Sequence, residues 1–390
     1  MKIAILFESS QSGGGAFTHS LNASLDLITY LDKKYEFVIF THLKENLKTF
    51  KKHNISAKLY KHSFLDKIII TLSFFSFFRN LFMILNLKLS IETNIENNRF
   101  DAIFLPVLSK TVFALKKVKY VSTLLDLEHF QHSIFPEITK KDYTFREKLY
   151  FHSLPKSLLV VTSCESIKKN LCKHYQIDKN KVVVIPYTPG RFIGDKAVRS
   201  NKNLVKKYTN NKNYFFYPAQ IWGHKNHIVI LKAALILQKK GYNLSFIFSG
   251  KNRGFKEYLL DFIKKNDLKN IIFTGYISPE EMNYLYKNCK GVIFTSVFGP
   301  NAIPPLEAWS YKKPLIYNNK LQDDVTLGTA LLVDIKDSKS VAKALKKIIT
   351  NNYNKKIIKN GYNKLSFIKK NNKNRYKYFS KKLDFALRKD

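Results

Sequence analysis

Cysteine is scarce in this chain: Cys164, Cys172 and Cys289 are the only three in 390 residues, and no Cys-x-x-Cys pair occurs. An odd, sparse set excludes a disulfide scaffold and points to a reducing compartment. Glycine, with 14 residues, and proline, with 11, are too few for a collagen-like or linker-dominated chain. Acidic side chains are few as well, 29 against 67 basic ones, which leaves a formal net charge of +38. Long apolar runs are missing. The longest candidate, Ile68 to Phe78, is closed by Asp66-Lys67 and Arg79, short of the ~18 uninterrupted apolar residues a spanning helix needs. The first apolar run stops at Glu8, too early for the h-region of a signal peptide. The expectation is a cytoplasmic protein.

What is present describes a globular chain, with hydrophobic residues at 45% and aromatics at 14%. At roughly 150 residues per domain, the length implies two to three domains, each able to bury a core. The charge is uneven: residues 1–200 hold 30 basic and 17 acidic groups, the remainder 37 and 12. Such a field attracts nucleic acid, acidic lipid or phosphorylated substrates. Abundant Lys, Asn and Ile also fit the drift of an AT-rich genome, which competes as an explanation of the excess.

Short runs that are apolar throughout alternate with helix-like segments. In the first half they are KIAILF (2–7), YEFVIF (35–40), AKLY (57–60), DAIFLPV (101–107), KYVSTLL (119–125), SLLVVT (157–162) and KVVVIP (181–186), with helices expected over 16–31 and 165–174. Continuous apolar runs suit strands buried on both faces of a parallel sheet. The polar stretch 188–213 reads as a linker. A second alternation follows, with strands expected at 214–219, 244–250, 270–275, 291–296 and 314–318 and helices at 226–240, 255–266, 279–289 and 305–311. The fold class is therefore α/β: two doubly wound parallel-sheet domains facing across a cleft, an architecture that takes ligands at the carboxyl ends of its strands. The expected boundaries are 1–190, a linker 191–213, a second domain 214–365, and a basic C-terminal helix 366–390 crossing back to the first domain.

The turn after the first strand, Glu8-Ser-Ser-Gln-Ser-Gly13-Gly14-Gly15, runs into a helix. Glycines let a backbone approach a ligand and free amides at a helix start favour anions, although an ordinary flexible turn explains the same residues. Two histidines, His129 and His132, follow the 119–125 strand. The Asp-x-Asp spacing that holds a divalent ion is absent, and His and Cys residues show no clustered ligand spacing in the sequence. No metal and no cofactor are expected.

Several segments carry a family resemblance: YPAQIWGHKNH (217–227), the region 270–316 with GPNAIPPLEAWSYKKP, VVTSCESIKKNLCKHYQIDKNKVVVIPY (160–187) and TLLDLEHFQHSIFPE (123–137). Together they resemble the retaining glycosyltransferases of family four (glycosyl transferases group 1). The resemblance implies the two-domain Rossmann-like fold called GT-B, a nucleotide-diphosphate sugar as donor substrate, and metal-independent transfer with retention. It implies that Lys225 stabilises the leaving phosphates, that Gln220 stands where the family has an arginine, and that His224 lies beside them. Glu307 matches the second of two glutamates and would hold the ribose, while Gly299 stands in place of the first. The sequence resembles a variant in which a Gly-Pro-Asn loop offers the amides of Asn301, Ala302 and Ile303 to the sugar or β-phosphate. By the same resemblance His129 contacts the donor sugar, with His132 as its alternative, and Gly13, Gly14 and Gly15 approach phosphates or acceptor. Gly250, Tyr276 and Ile277 are placed near the nucleobase.

The chemistry accounts for these residue types. Cleavage of the glycosidic bond builds oxocarbenium character on the sugar and negative charge on the diphosphate, so preorganised cations and amide dipoles lower the barrier. The implied acceptor is a glycan or lipid-linked glycan of a surface polysaccharide, such as an O-antigen or capsule precursor. The segment 63–90, rich in Phe and Ile with basic residues along it, reads either as a buried helix of the first domain or as one lying on the anionic cytoplasmic face of the inner membrane. Two other readings stand beside the transferase: an inactive relative that binds the donor, suggested by Gln220 and Gly299, and a basic nucleic-acid-binding protein. No nucleic-acid recognition motif occurs, and no nucleic acid partner is expected.

Overall fold

The protein is represented by a computed structural model describing residues 1–131, 139–191, 193, 208, 214–299 and 303–389. Its contacts divide the chain into two compact units. The first takes in Met1–Gln131, Lys140–Pro186 and Asn371–Asp390, and the second is built on Tyr187–Lys370.

The first unit holds seven parallel strands: β1 (Lys2–Leu6), β2 (Glu36–Thr41), β3 (Ala57–Leu59), β4 (Ala102–Leu105), β5 (Tyr120–Thr123), β6 (Val160–Thr162) and β7 (Val182–Val184). Their order is β3-β2-β1-β4-β5-β6-β7, and Ile3 stands opposite both Phe37 and Ala102. Successive side chains of a strand point to opposite faces. In β1, Ile3 and Ile5 enter one core and Ala4 and Leu6 another, which is why the run has no polar alternation. The C-terminal end of the long helix Lys356–Lys389 seals the Ile3 side with Tyr376, Phe379 and Leu383. It is fastened there by Tyr35, whose hydroxyl donates to Asp384 Oδ1 at 2.6 Å.

The segment 63–90 forms two short helices, Phe64–Leu72 and Ser76–Ile84, followed by Ser90–Asn97. Ser63 and Asp66 make a reciprocal capping box at the first helix start, and Arg79 Nη1 donates to the Ser73 carbonyl at 3.0 Å, satisfying the break between the two. Their inner side, including Ile69 and Phe82, joins the Ala4 core.

The second unit has six parallel strands: β8 (Tyr214–Pro218), β9 (Ser245–Ser249), β10 (Ile271–Gly275), β11 (Gly291–Phe294), β12 (Leu315–Asn318) and β13 (Leu331–Val333). They run in the order β10-β9-β8-β11-β12-β13. The helix Ser338–Ile349 packs Val341, Leu345 and Ile348 onto this sheet. In both sheets the first strand lies between its successor and a later strand, so consecutive connections leave it on opposite sides. That arrangement opens a crevice at the carboxyl ends of β1 and β4 in one unit and of β8 and β11 in the other.

Candidate functional site

The crevice of the second sheet is built by the turns after β8 and β11. Beyond Pro218 the chain runs through Ala219–Trp222 into a single 3-10 turn, Gly223–Lys225, then reverses at Asn226 (φ 53°) to start the helix His227–Gln238. Three contacts fix this turn. Tyr217 donates its hydroxyl to the Lys225 carbonyl at 2.8 Å, the Val297 amide donates to the His224 carbonyl at 2.8 Å, and the His224 ring stacks on Phe298 at 4.0 Å and 12°. Lys225, half-buried, donates Nζ to Ser296 Oγ at 3.2 Å and lies 5.4 Å from the centre of the Phe294 ring. Ser296 is in turn fixed by donating to the Phe298 carbonyl at 2.6 Å and by Asn318, which donates to its carbonyl at 2.9 Å. The result is an ammonium group held at the end of two central strands, the geometry suited to a developing anion.

Gln220 lies on the neighbouring side of the turn. Its Oε1 accepts from Trp222 Nε1 at 2.9 Å and from Arg253 Nε at 3.3 Å, and the Arg253 guanidinium stands 5.6 Å from the Trp222 ring centre. An arginine from the turn after β9 thus reaches the position where the sequence offers glutamine. Gly250 makes that approach feasible: at φ 158° a Cβ there would stand 2.4 Å from the Ala219 carbonyl oxygen. Its amide donates to the Gly275 carbonyl at 2.9 Å. After β10, Tyr276 is 65% exposed, whereas Ile277 turns into the core.

Glu307 sits on the helix Ile303–Ser310 and is buried. Its Oε2 accepts the Tyr286 hydroxyl at 2.6 Å and its Oε1 the Gly190 amide at 3.4 Å. Burial raises this carboxyl above its ordinary range, and the two hydrogen bonds pull the other way. Gly299 is the last residue described before the helix, with φ 94° and no atom of the described residues within 4 Å of where a Cβ would stand. Ile303 is buried. Asn301 and Ala302, expected to offer amides, lie outside the described residues.

In the first unit the turn after β1 begins with Gln11–Gly13, capped by Ser10, and passes through Gly14 at φ 62° into the helix Gly15–Leu31. A Cβ at Gly15 would meet no atom of the described residues within 4 Å, so only Gly14 is required by its backbone. His129 lies in the short helix Glu128–Gln131 and is fully buried. Its Nε2 is 2.8 Å from Glu147 Oε1, a carboxylate that also accepts the Tyr175 hydroxyl at 2.6 Å and pairs with His174 Nε2 at 3.2 Å. Burial lowers the His129 pKa against the opposing pull of Glu147. Asp126 pairs with Arg146 at 3.1 Å. His132 lies outside the described residues.

One cluster escaped the reading of sequence spacing. Glu8, His42 and His62, one from beyond each of β1, β2 and β3, bring potential ligand atoms within 4.8 Å of one another. These are the residues that could hold a metal ion in the first unit. The Glu8 carboxylate is satisfied without one, because it accepts the hydroxyls of Tyr60 and Thr111 at 2.8 Å each and that of Ser109. Side chains gathered from three separate strand ends leave no spacing signal in the chain.

Residues 200–364, which take in most of the second unit, match the family model described as Glycosyl transferases group 1. The O-antigen chain mannosyltransferase RfbU of Salmonella typhimurium is 27% identical over 212 residues, covering 53% of this chain and 56% of that protein. The chain therefore matches just over half the length of that curated relative. Among solved structures, HepE of Anabaena in complex with UDP-glucose is similar with a TM-score of 0.70 at 16% identity, covering 98% of this chain and 100% of that one. Sucrose-phosphate synthase of Thermosynechococcus elongatus gives 0.74 at 12% identity, with 99% of each chain covered. Likeness at such identities speaks for the fold: two parallel-sheet α/β units of the GT-B kind.

Proposed function

We propose that this protein is a glycosyltransferase that moves a sugar from a nucleotide-diphosphate donor to a hydroxyl of a glycan acceptor. The observation that carries this reading is the ammonium of Lys225, held by Ser296 at the carboxyl ends of β8 and β11 within the segment matched by the glycosyl transferases group 1 model. In the transfer, the bond from the anomeric carbon to the diphosphate oxygen breaks and the nucleoside diphosphate leaves with the electron pair. A bond from the acceptor oxygen to the same carbon forms, and the acceptor proton passes to the departing phosphate. Attack from the face that the leaving group vacates retains the configuration, and no step calls for a metal.

Lys225 stabilises the charge that grows on the leaving phosphates. Glu307 accepts from the ribose hydroxyls through lone pairs that its bonds to Tyr286 and Gly190 leave open. Gly250 and Tyr276 line the nucleobase side, and the open turn at Gly13, Gly14 and Gly15 admits phosphates or acceptor in the first unit. The acceptor is lipid-linked and belongs to a surface polysaccharide, a reading supported by the likeness to an O-antigen mannosyltransferase.

The test begins with melting curves of the protein against UDP-, GDP-, dTDP- and CMP-linked sugars. A donor at ~100 times its dissociation constant stabilises by about 2.7 kcal/mol, a shift of several degrees. With the donor identified, Lys225→Ala is expected to lower turnover by about 100-fold or more while the melting temperature without ligand holds. Unchanged turnover would remove the leaving-group role. A selective shift with neither transfer nor hydrolysis would favour the donor-binding, inactive reading that Gln220 and Gly299 suggest, and the absence of any shift would sink both.

A further inference from the structure

The two helices Phe64–Leu72 and Ser76–Ile84 present an apolar surface outward. Among the described residues, 22 large hydrophobic side chains are exposed, and nine of them fall between 64 and 85. Scattered exposed apolar residues are normal, but a contiguous group marks an interaction surface. On the second helix and its last turn, Phe77, Leu81, Ile84 and Leu85 recur at the i, i+4, i+7, i+8 spacing that ordinarily faces a core. Here Phe82 takes the core side, while Phe77 and Ile84 are 71% and 82% exposed. At the start of the first helix Phe64 is 81% exposed.

Within the segment the unpaired charge has one sign, Lys88 being paired with Glu96 on the following helix. Residues 61–90 contain Lys61, Lys67, Arg79 and Lys88 and a single acid, Asp66. Asp66 is buried and engaged with the amides of Ser63 and Ser90 at 2.8 Å each, so it offers no negative charge to a partner. Lys61 and Lys67 are exposed. Lys148, exposed, lies 4.4 Å from the centre of the Phe74 ring at the junction of the helices. Apolar side chains interleaved with lysines, on helices too short to cross a bilayer, fit the boundary between headgroups and acyl chains. Among the described residues no helix is long and apolar enough to span a membrane.

The geometry points to this helix pair as a docking surface for an anionic lipid bilayer, with Phe64, Phe77 and Ile84 inserted and Lys61 and Lys67 at the headgroups. The inference stands on the surface of the first unit alone, so it survives or falls independently of the transferase reading.

The experiment is flotation of the full chain with vesicles of phosphatidylglycerol and phosphatidylethanolamine, against vesicles of phosphatidylcholine. The protein is expected to float with the anionic vesicles and to stay behind with the others. Phe77→Ser combined with Ile84→Ser should weaken binding at least about tenfold, with an unchanged melting temperature because neither side chain is in the core. Lys61→Gln combined with Lys67→Gln should weaken it by about tenfold as well, and raised salt should do the same to the wild type. Equal binding to both vesicle types, or full binding by the Phe77/Ile84 variant, would overturn the proposal. So would a wild type that ignores vesicles but self-associates where that variant is monomeric, since the surface would then belong to a second copy.

Discussion

Two helices of this protein carry the same apolar period and use it in opposite ways. In Ser338–Ile349 the stripe of Val341, Leu345 and Ile348 is buried on the second sheet. In Ser76–Ile84 the stripe of Phe77, Leu81 and Ile84 faces outward while Phe82 faces in. The period tells that a helix has an apolar side; what lies against that side depends on the rest of the chain. The helix His227–Gln238 makes the reverse departure. It buries a histidine against Tyr217 and Phe248, at ring distances of 4.7 and 5.1 Å, with no hydrogen bond on either ring nitrogen among the described residues.

The largest effect should come from the conventional stripe. Leu345→Ala removes a fully buried side chain and is expected to cost about 2–5 kcal/mol, read as a lower midpoint in denaturant; a loss near zero would mean that this helix is not held by its stripe. His227 comes next. Burial, assisted by the charges of Lys225 and His224, pushes its pKa down to about 3, so the folded state holds the ring neutral. The stability this lends is present above the unfolded value near 6.5 and is lost as pH falls toward the folded value. His227→Phe should therefore melt above the wild type at pH 5, by about 2 kcal/mol, and the gap should close at neutral pH. A gap that does not change with pH would show that the ring is not kept neutral. The smallest effect belongs to the outward stripe: Ile84→Ser should change stability by less than about 0.5 kcal/mol, and a larger loss would mean that the stripe is packed after all.

Much of the fold was legible. The runs IAIL and FIF carry apolar residues at every position, which only a strand covered on both faces tolerates, and they form β1 and β9, interior strands of two parallel sheets. Helix starts were legible where a cap is local, as in Ser278-Pro279 with the reciprocal box from Glu281. The segment 63–90 was less so. It read as one helix, buried or interfacial, and it folds as two, because Ser73 to Phe75 close one helix and open another with Arg79 bonding across the break.

The candidate site divided in the same way. Lys225 follows a strand and precedes a helix, so its place at a carboxyl edge was readable from order alone. The contacts that aim it come from Ser296 and Phe294, about seventy residues on, which no local pattern discloses. Arg253 beside Gln220 depends on Gly250 letting one turn press against another. His129, read as a sugar contact, is buried against Glu147, a partner supplied by the helix Lys140–Ser153.

By itself the sequence determined the α/β class and the places of the strands other than Leu331–Val333, because hydrophobic period and turn chemistry act over neighbouring residues. The tertiary structure decided which strands are neighbours, where each sheet opens its crevice, and whether an apolar stripe meets a core or solvent. Those outcomes depend on pairs far apart in the chain, Ile3 with Ala102 or Lys225 with Ser296. Their energies exist only once the intervening chain has folded.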